Sequence, residues 1–154
     1  MENIRELKKF WSKKRVLITG HTGFKGSWLS IILTYLNSTI DGYSLKPKKN
    51  SLFNKSTIFK KLKSNTYSDI NNLTKLKKKI KDCKPEIIFH LAAQPLVIDS
   101  YKDPIKTLNT NIMGTANLLE SIRNIKSIKS VVIITTDKVY KIKKNNKAYR
   151  ELDQ

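Results

Sequence analysis

A chain of 154 residues fits one domain of ordinary size and leaves no room for a second large one. Hydrophobic residues are 39% and charged residues 28%, which excludes disorder, collagen-like repeats and coiled coil as whole-chain readings. The departure is charge: 31 Lys+Arg face 12 Asp+Glu, formally +19, with a pI near 10.0. No run approaches the ~18 uninterrupted apolar residues of a membrane span. The start, MENIRELKKFWSKKR, lacks the apolar stretch of a secretory signal. Cysteine occurs once, at Cys83, so no intrachain disulfide forms and a reducing cytoplasm is expected.

The excess of cations raises nucleic-acid binding as a function class, because clustered cations release counterions from phosphates. Their composition argues against it. All but Arg5, Arg15, Arg123 and Arg150 are lysines, and the lysines are spread over several clusters rather than gathered in one. Arginine is the residue suited to bidentate phosphate and base contacts. The expectation is a solvated basic surface with no nucleic-acid and no membrane partner, whose field helps attract an anionic nucleotide.

Residues 1–14 form a helical or irregular lead-in, with Ile4, Leu7, Phe10 and Trp11 at roughly helical spacing. Arg15–Thr19 is a compact apolar run of the buried parallel type, ending at Gly20. A helical pattern follows from Gly26 through Trp28, Leu29, Ile32, Leu33 and Leu36. Thr39–Leu45 predicts a second strand, and residues 47–63, rich in lysine, a surface loop with at most one short helix. Asn65–Ser68 is a weak third strand, followed by a helix with Leu73, Leu76 and Ile80 on one face. Pro85–Leu91 is a fourth strand, rich in β-branched and aromatic residues. Pro104 opens a long helical pattern through Ile112, Ala116, Leu119 and Ile122, and Ser130–Thr135 is the fifth strand. Strands alternating with helices predict an α/β fold: a Rossmann-type, doubly wound parallel sheet of strand order 3-2-1-4-5.

The first strand runs into Thr19-Gly20-His21-Thr22-Gly23-Phe24-Lys25-Gly26, three glycines at G-x-x-G-x-x-G spacing between strand and helix. Gly20 permits the tight turn, Gly23 lets main-chain amides approach a pyrophosphate, and Gly26 allows close packing of the helix. The pyrophosphate belongs at the helix N-terminus, where unpaired N–H groups and the helix dipole favour negative charge. Thr22, Phe24 and Lys25 complete this candidate cofactor turn.

A site for NAD usually carries an acid at the end of the second strand, for the ribose hydroxyls. Here the strand ends Tyr43-Ser44-Leu45-Lys46, with Asp41 inside it. Ser44 offers a neutral hydrogen bond and Lys46 tolerates a 2′-phosphate, so NADP is not excluded. Asp69 and Ile70 fall where an adenine ring would lie, although Asp69 suits a helix N-cap equally well.

Three stretches together, TGHTGFKGSWL at 19–29, HLAAQPLV at 90–97 and TTDKVY at 135–140, resemble the N-terminal half of the CDP-glucose 4,6-dehydratases, as does TNIMGTANLLESIR at 110–123. These are extended short-chain dehydrogenase/reductases, and the resemblance spans about 15–140. It implies an NAD-dependent lyase of deoxysugar (lipopolysaccharide O-antigen) synthesis that takes CDP-glucose to CDP-4-keto-6-deoxyglucose. Thr136, Asp137 and Lys138 would be the catalytic residues, with Leu91, Ala92, Ala93, Gln94, Asn111 and Thr135 beside the cofactor. Relatives pair through helices after the fourth and fifth strands, which implies a homo-oligomer. His90 and His21 are expected to be structural, and no metal-ligand cluster is present.

The superfamily also requires a Tyr-x-x-x-Lys pair. Tyr140 and Lys144 match formally but fall inside and directly after TTDKVY, in a lysine run that supplies a match at almost any offset. The expectation is therefore a C-terminally truncated chain: 1–14 lead-in, 15–140 partial NAD(P)-binding domain, 141–154 polar tail. It would lack a substrate domain and be inactive by itself, with a non-catalytic dinucleotide-binding module or an epimerase or reductase of the same superfamily as alternatives.

Overall fold

The computed structural model describes residues 2–136, 140–141 and 148–152. Five parallel strands form one sheet: β1 Arg15–Thr19, β2 Thr39–Ser44, β3 Ser64–Tyr67, β4 Ile87–His90 and β5 Ser130–Ile133, in the order β3-β2-β1-β4-β5. That is the order expected for a dinucleotide-type half. The register sets Thr19 beside Tyr43 on one side and His90 on the other, so three strand ends meet at one point of the carboxyl edge.

Alternation along β1 divides the core in two. Val16 and Ile18 face a cluster with Leu33, Ile40, Phe53, Ile58 and Leu62, whereas Leu17 faces Tyr43, Ile70, Leu76, Ile80, Ile88 and Leu118. Helix α2 (Phe24–Tyr35) covers the first face; α4 (Leu73–Cys83) and α7 (Gly114–Ile122) cover the second. The lead-in is a regular helix, α1 (Glu2–Trp11), anchored by Trp11 against Phe89 at a centroid distance of 6.1 Å. Among the described residues no helix is long and apolar enough to cross a membrane.

Four details depart from the sequence reading. The 47–63 segment is not merely a surface loop: α3 (Leu52–Lys55) and a 3₁₀ turn (Ile58–Lys60) bury Phe53, Ile58 and Leu62 in the first core cluster, and its lysines masked that pattern. A further helix, α5 (Val97–Lys102), precedes Pro104. The long pattern from Pro104 is α6 (Pro104–Leu108), a π turn (Asn109–Met113) and α7, with Asp103 Oδ1 capping Lys106 N at 2.9 Å. Its inward residues are Gly114, Leu118 and Ser121, so Ile105, Leu108, Ile112 and Leu119 form an outward apolar face. Last, Asn72 rather than Asp69 caps α4, its Oδ1 accepting from Lys75 N at 3.0 Å.

One polar cluster sits inside the second face. Lys79 Nζ of α4 donates to Asp41 Oδ1 of β2 at 2.7 Å, and Ser64 of β3 bonds both groups. Asp41 is 3% exposed and Lys79 9%, so each charge depends on the other for solvation. Removing one partner costs about 3–5 kcal/mol, because the remaining charge is buried uncompensated. Urea denaturation of Lys79→Met should show a loss of that size, and the Asp41→Leu/Lys79→Met double variant should recover most of it.

Candidate functional site

The glycine turn is shaped by close approach. Gly20 has φ of +73°, a left-handed conformation, and its N–H donates to Tyr43 O at 2.9 Å. A Cβ on Gly20 would lie 2.6 Å from the Leu91 carbonyl carbon and 2.7 Å from Ala92 N; one on Gly26 would lie 2.2 Å from Gly20 O. The chain leaving β4 and the first turn of α2 thus both press on the Gly20 backbone. Gly23 precedes the helix with extended backbone and no capping side chain, and its carbonyl accepts the first helical bond, from Ser27 N at 2.8 Å. The amides of Phe24, Lys25 and Gly26 come before that bond and have no partner within the helix. Phe24 and Lys25 are exposed. A turn packed this tightly, ending in helix-terminal N–H groups, suits a diphosphate.

The end of β2 closes one side. Thr22 Oγ1 donates to Leu45 O at 3.0 Å and shares a hydrogen bond with Ser44 Oγ at 2.8 Å. This holds the strand end one residue away from Gly23. Beyond β3, Asp69 is exposed, its Oδ1 accepting from Asn71 N at 2.8 Å. Ile70 is 5% exposed and packs against Gly114, so its side chain belongs to the core.

The end of β4 closes the other side through a polar relay. Ala92 N donates to Thr19 Oγ1 at 3.3 Å, and Thr19 Oγ1 lies 2.7 Å from His90 Nδ1. His90 Nε2 lies 3.1 Å from Thr115 Oγ1, which donates to Asn111 O at 2.8 Å. That last donation leaves Thr115 an acceptor for His90 Nε2–H, so Nδ1 accepts from the Thr19 hydroxyl. Asn111 and Gln94 form a reciprocal pair, Gln94 N to Asn111 Oδ1 at 2.8 Å and Asn111 Nδ2 to Gln94 O at 3.1 Å. Leu91, Ala92, Ala93 and Gln94 therefore line the edge on a segment fastened to the helix. Thr135 and Thr136 follow β5, whose partner is β4. Asp137, Lys138 and Lys144 lie outside the described residues.

The expected site residues are thus distributed along one carboxyl edge, from Asp69 through Ser44, the glycine turn and Gln94 to Thr136. Comparison with known proteins bears on this edge. The family model for GDP-mannose 4,6 dehydratase matches residues 17–150. The chain belongs to this dehydratase family. It is 48% identical over 145 residues to CDP-glucose 4,6-dehydratase of Salmonella typhimurium, covering 94% of this chain and 40% of the relative. It is 35% identical over 130 residues to dTDP-D-glucose 4,6-dehydratase of Dictyostelium discoideum, covering 82% of this chain and 30% of that one. The chain thus spans well under half the length of these curated relatives. Among solved structures, Pal from Bacillus thuringiensis superposes with a TM-score of 0.76 at 30% identity, covering 90% of this chain and 44% of that one. MoeE5, in complex with UDP-glucuronic acid and NAD, gives 0.65 at 26%, covering 81% and 38%.

What sequence reasoning missed in this dehydratase-family site is the support beneath it. Thr19 and His90 are polar residues at the last positions of apolar strands, and that placement was the available signal. Both histidines are structural: His21 is fully buried beneath Gly42 with Nε2 3.1 Å from Asn65 Oδ1, and His90 is 2% exposed. Burial lowers each from 6.5 to about 4. Between these values the unfolded chain binds more protons, so stability is complete above about pH 6.5 and falls toward pH 4 at ~1.4 kcal/mol per pH unit per histidine. Denaturation at a series of pH values should show this slope, and a His90→Gln variant, although less stable throughout, should show a shallower one.

Proposed function

We propose that this chain is the cofactor-holding part of a nucleotide-sugar 4,6-dehydratase acting on CDP-glucose, with NAD as its dinucleotide. The observation that carries the reading is the glycine cradle, open helix-terminal amides walled by Ser44 on one side and the Leu91–Gln94 segment on the other. The 48% identity to CDP-glucose 4,6-dehydratase supports the substrate, and the NAD complex of MoeE5 supports the cofactor. In this reading Gly20, Thr22, Gly23, Phe24, Lys25 and Gly26 hold the diphosphate by main-chain donation. Ser44 faces the adenosine ribose and Asp69 the adenine amine. Leu91, Ala92, Ala93, Gln94 and Thr135 flank the nicotinamide half, with Asn111 holding Gln94 in place.

When bound, NAD supplies a hydride acceptor and donor, taking hydride from sugar C4 and returning it to C6. Thr136 hydrogen-bonds the C4 hydroxyl, whose proton passes to the tyrosine of the superfamily's Tyr-x-x-x-Lys pair as hydride leaves, and C5 regains a proton when hydride returns to C6. The resulting 4-ketone acidifies C5–H, and the residues after Thr136 carry the elimination. Lys138 accepts the C5 proton or orients that carbon; as a base it must be neutral, which burial or a neighbouring cation achieves. Asp137 protonates the C6 oxygen, which departs as water. The outward apolar face of Ile105, Leu108, Ile112 and Leu119 supports pairing with a second copy.

Gly23→Asp separates fold from function. Its φ of −72° suits any residue and an Asp there is a good N-cap, which offsets a Cβ standing 3.3 Å from the Gly20 carbonyl oxygen, so the thermal midpoint should stay within a few degrees. The same carboxylate repels a diphosphate, so NADH affinity, read by cofactor fluorescence, should fall about thirtyfold or more. Unchanged NADH binding in this variant overturns the assignment of the turn. These 154 residues by themselves should give no 4-keto-sugar from CDP-glucose, read as absorbance in alkali; product formed by them alone overturns the reading of the chain as the cofactor-holding part only.

A further inference from the structure

In an all-parallel sheet every strand starts at one rim and ends at the other, so residues remote in sequence meet where the strands begin. Here the two rims differ in charge. The three residues ahead of each strand include Lys13 and Lys14 at β1, Lys61 and Lys63 at β3, Lys84 at β4 and Lys129 at β5, with Glu86 as the one acid. The three residues after each strand carry one charge of each sign, Lys46 and Asp69. The glycine turn belongs to that second, balanced rim. Lysines dispersed along the chain thus form one array, about 19 Å wide from β3 to β5 at the usual strand spacing.

Contacts tie the array together. Glu86 Oε1 lies 3.6 Å from Lys129 Nζ and 4.0 Å from Lys14 Nζ, and Arg15 Nε donates to Lys84 O at 2.8 Å. All six lysines are exposed except Lys14, which is half-buried. Two exposed rings stand at the same rim, where α1 and α2 end. Phe10 lies beneath Lys14 Nζ at 5.5 Å from its centroid, and Tyr35 beneath Lys8 Nζ at 4.3 Å. Lysines act on anionic headgroups as summed point charges, and aromatic rings beside ammonium groups suit the headgroup boundary. A nucleic acid would call for ring faces free to stack bases, and an ammonium covers one face of each ring here.

We infer that the amino rim of the sheet docks peripherally on an anionic lipid bilayer, with the glycine turn on the side away from it. This docking is independent of what the turn binds.

Co-sedimentation of the full chain with vesicles tests it. Phosphatidylcholine vesicles containing phosphatidylglycerol should bind the chain, pure phosphatidylcholine should not, and added salt should release it. Lys61→Glu/Lys63→Glu should weaken the partition about thirtyfold or more, the scale of two lysines lost near the surface. Both side chains are exposed, so the fold tolerates the change. Lys102→Glu/Lys106→Glu removes the same charge beside Gln94, at the opposite rim, and should change the partition less than about fivefold, because charge at that distance is screened. Equal loss in the two variants overturns the docking rim, as general charge attraction. Failure to bind the anionic vesicles overturns it too, as does retention on a duplex oligonucleotide at a salt concentration that frees the chain from the vesicles.

Discussion

The carboxyl edge of this sheet depends on one contact in which there is no room for a side chain. At Gly20 the backbone leaving β1 meets the backbone leaving β4, with Leu91 and Ala92 within 2.7 Å of where a Cβ would stand. The first turn of α2 presses on the same residue, through Gly26 against the Gly20 carbonyl. Two glycines, one with positive φ, let a strand, a helix start and a second strand end converge on one point. Everything that could hold an anionic ligand is placed from there.

Hydrogen bonds then stiffen what packing has brought together. The relay from Thr19 through His90 and Thr115 to the Asn111 carbonyl crosses from β1 to the helix after β4, and Asn111 passes the constraint on to Gln94. Neutral imidazole suits this role because it donates at one nitrogen and accepts at the other, and burial keeps it neutral. The edge is thus braced by polar groups that themselves need not touch a ligand.

The strands β1 and β4 were legible because buried parallel strands read as continuous apolar runs, as Val16–Ile18 and Ile87–Phe89 do, whereas the polar β3, Ser64–Tyr67, gave only a weak signal. The glycine turn was legible because its spacing sits between a strand and a helix. The β2–β3 crossover was not, since Phe53, Ile58 and Leu62 are scattered among lysines and no period links a four-residue helix to a 3₁₀ turn. Which face of the Pro104–Ile122 helix turns inward was equally hidden. Its sequence has apolar residues on both sides, and the π turn at Asn109–Met113 shifts the phase between α6 and α7. Ile70 could not be assigned from spacing alone, because only the packing against Gly114 reveals that its side chain is occupied.

β5 pairs on one side only, as the outermost strand of its edge among the described residues, and it alternates between exposed and half-buried. Its outer main chain therefore offers donors and acceptors to any extended segment that arrives. Lys126 and Lys129 stand just ahead of it, and the molecule's large like-sign charge opposes the approach of identical copies. Ionic strength accordingly governs how closely copies of this basic chain approach at that rim: dilute salt keeps them apart, whereas concentrated salt screens the repulsion.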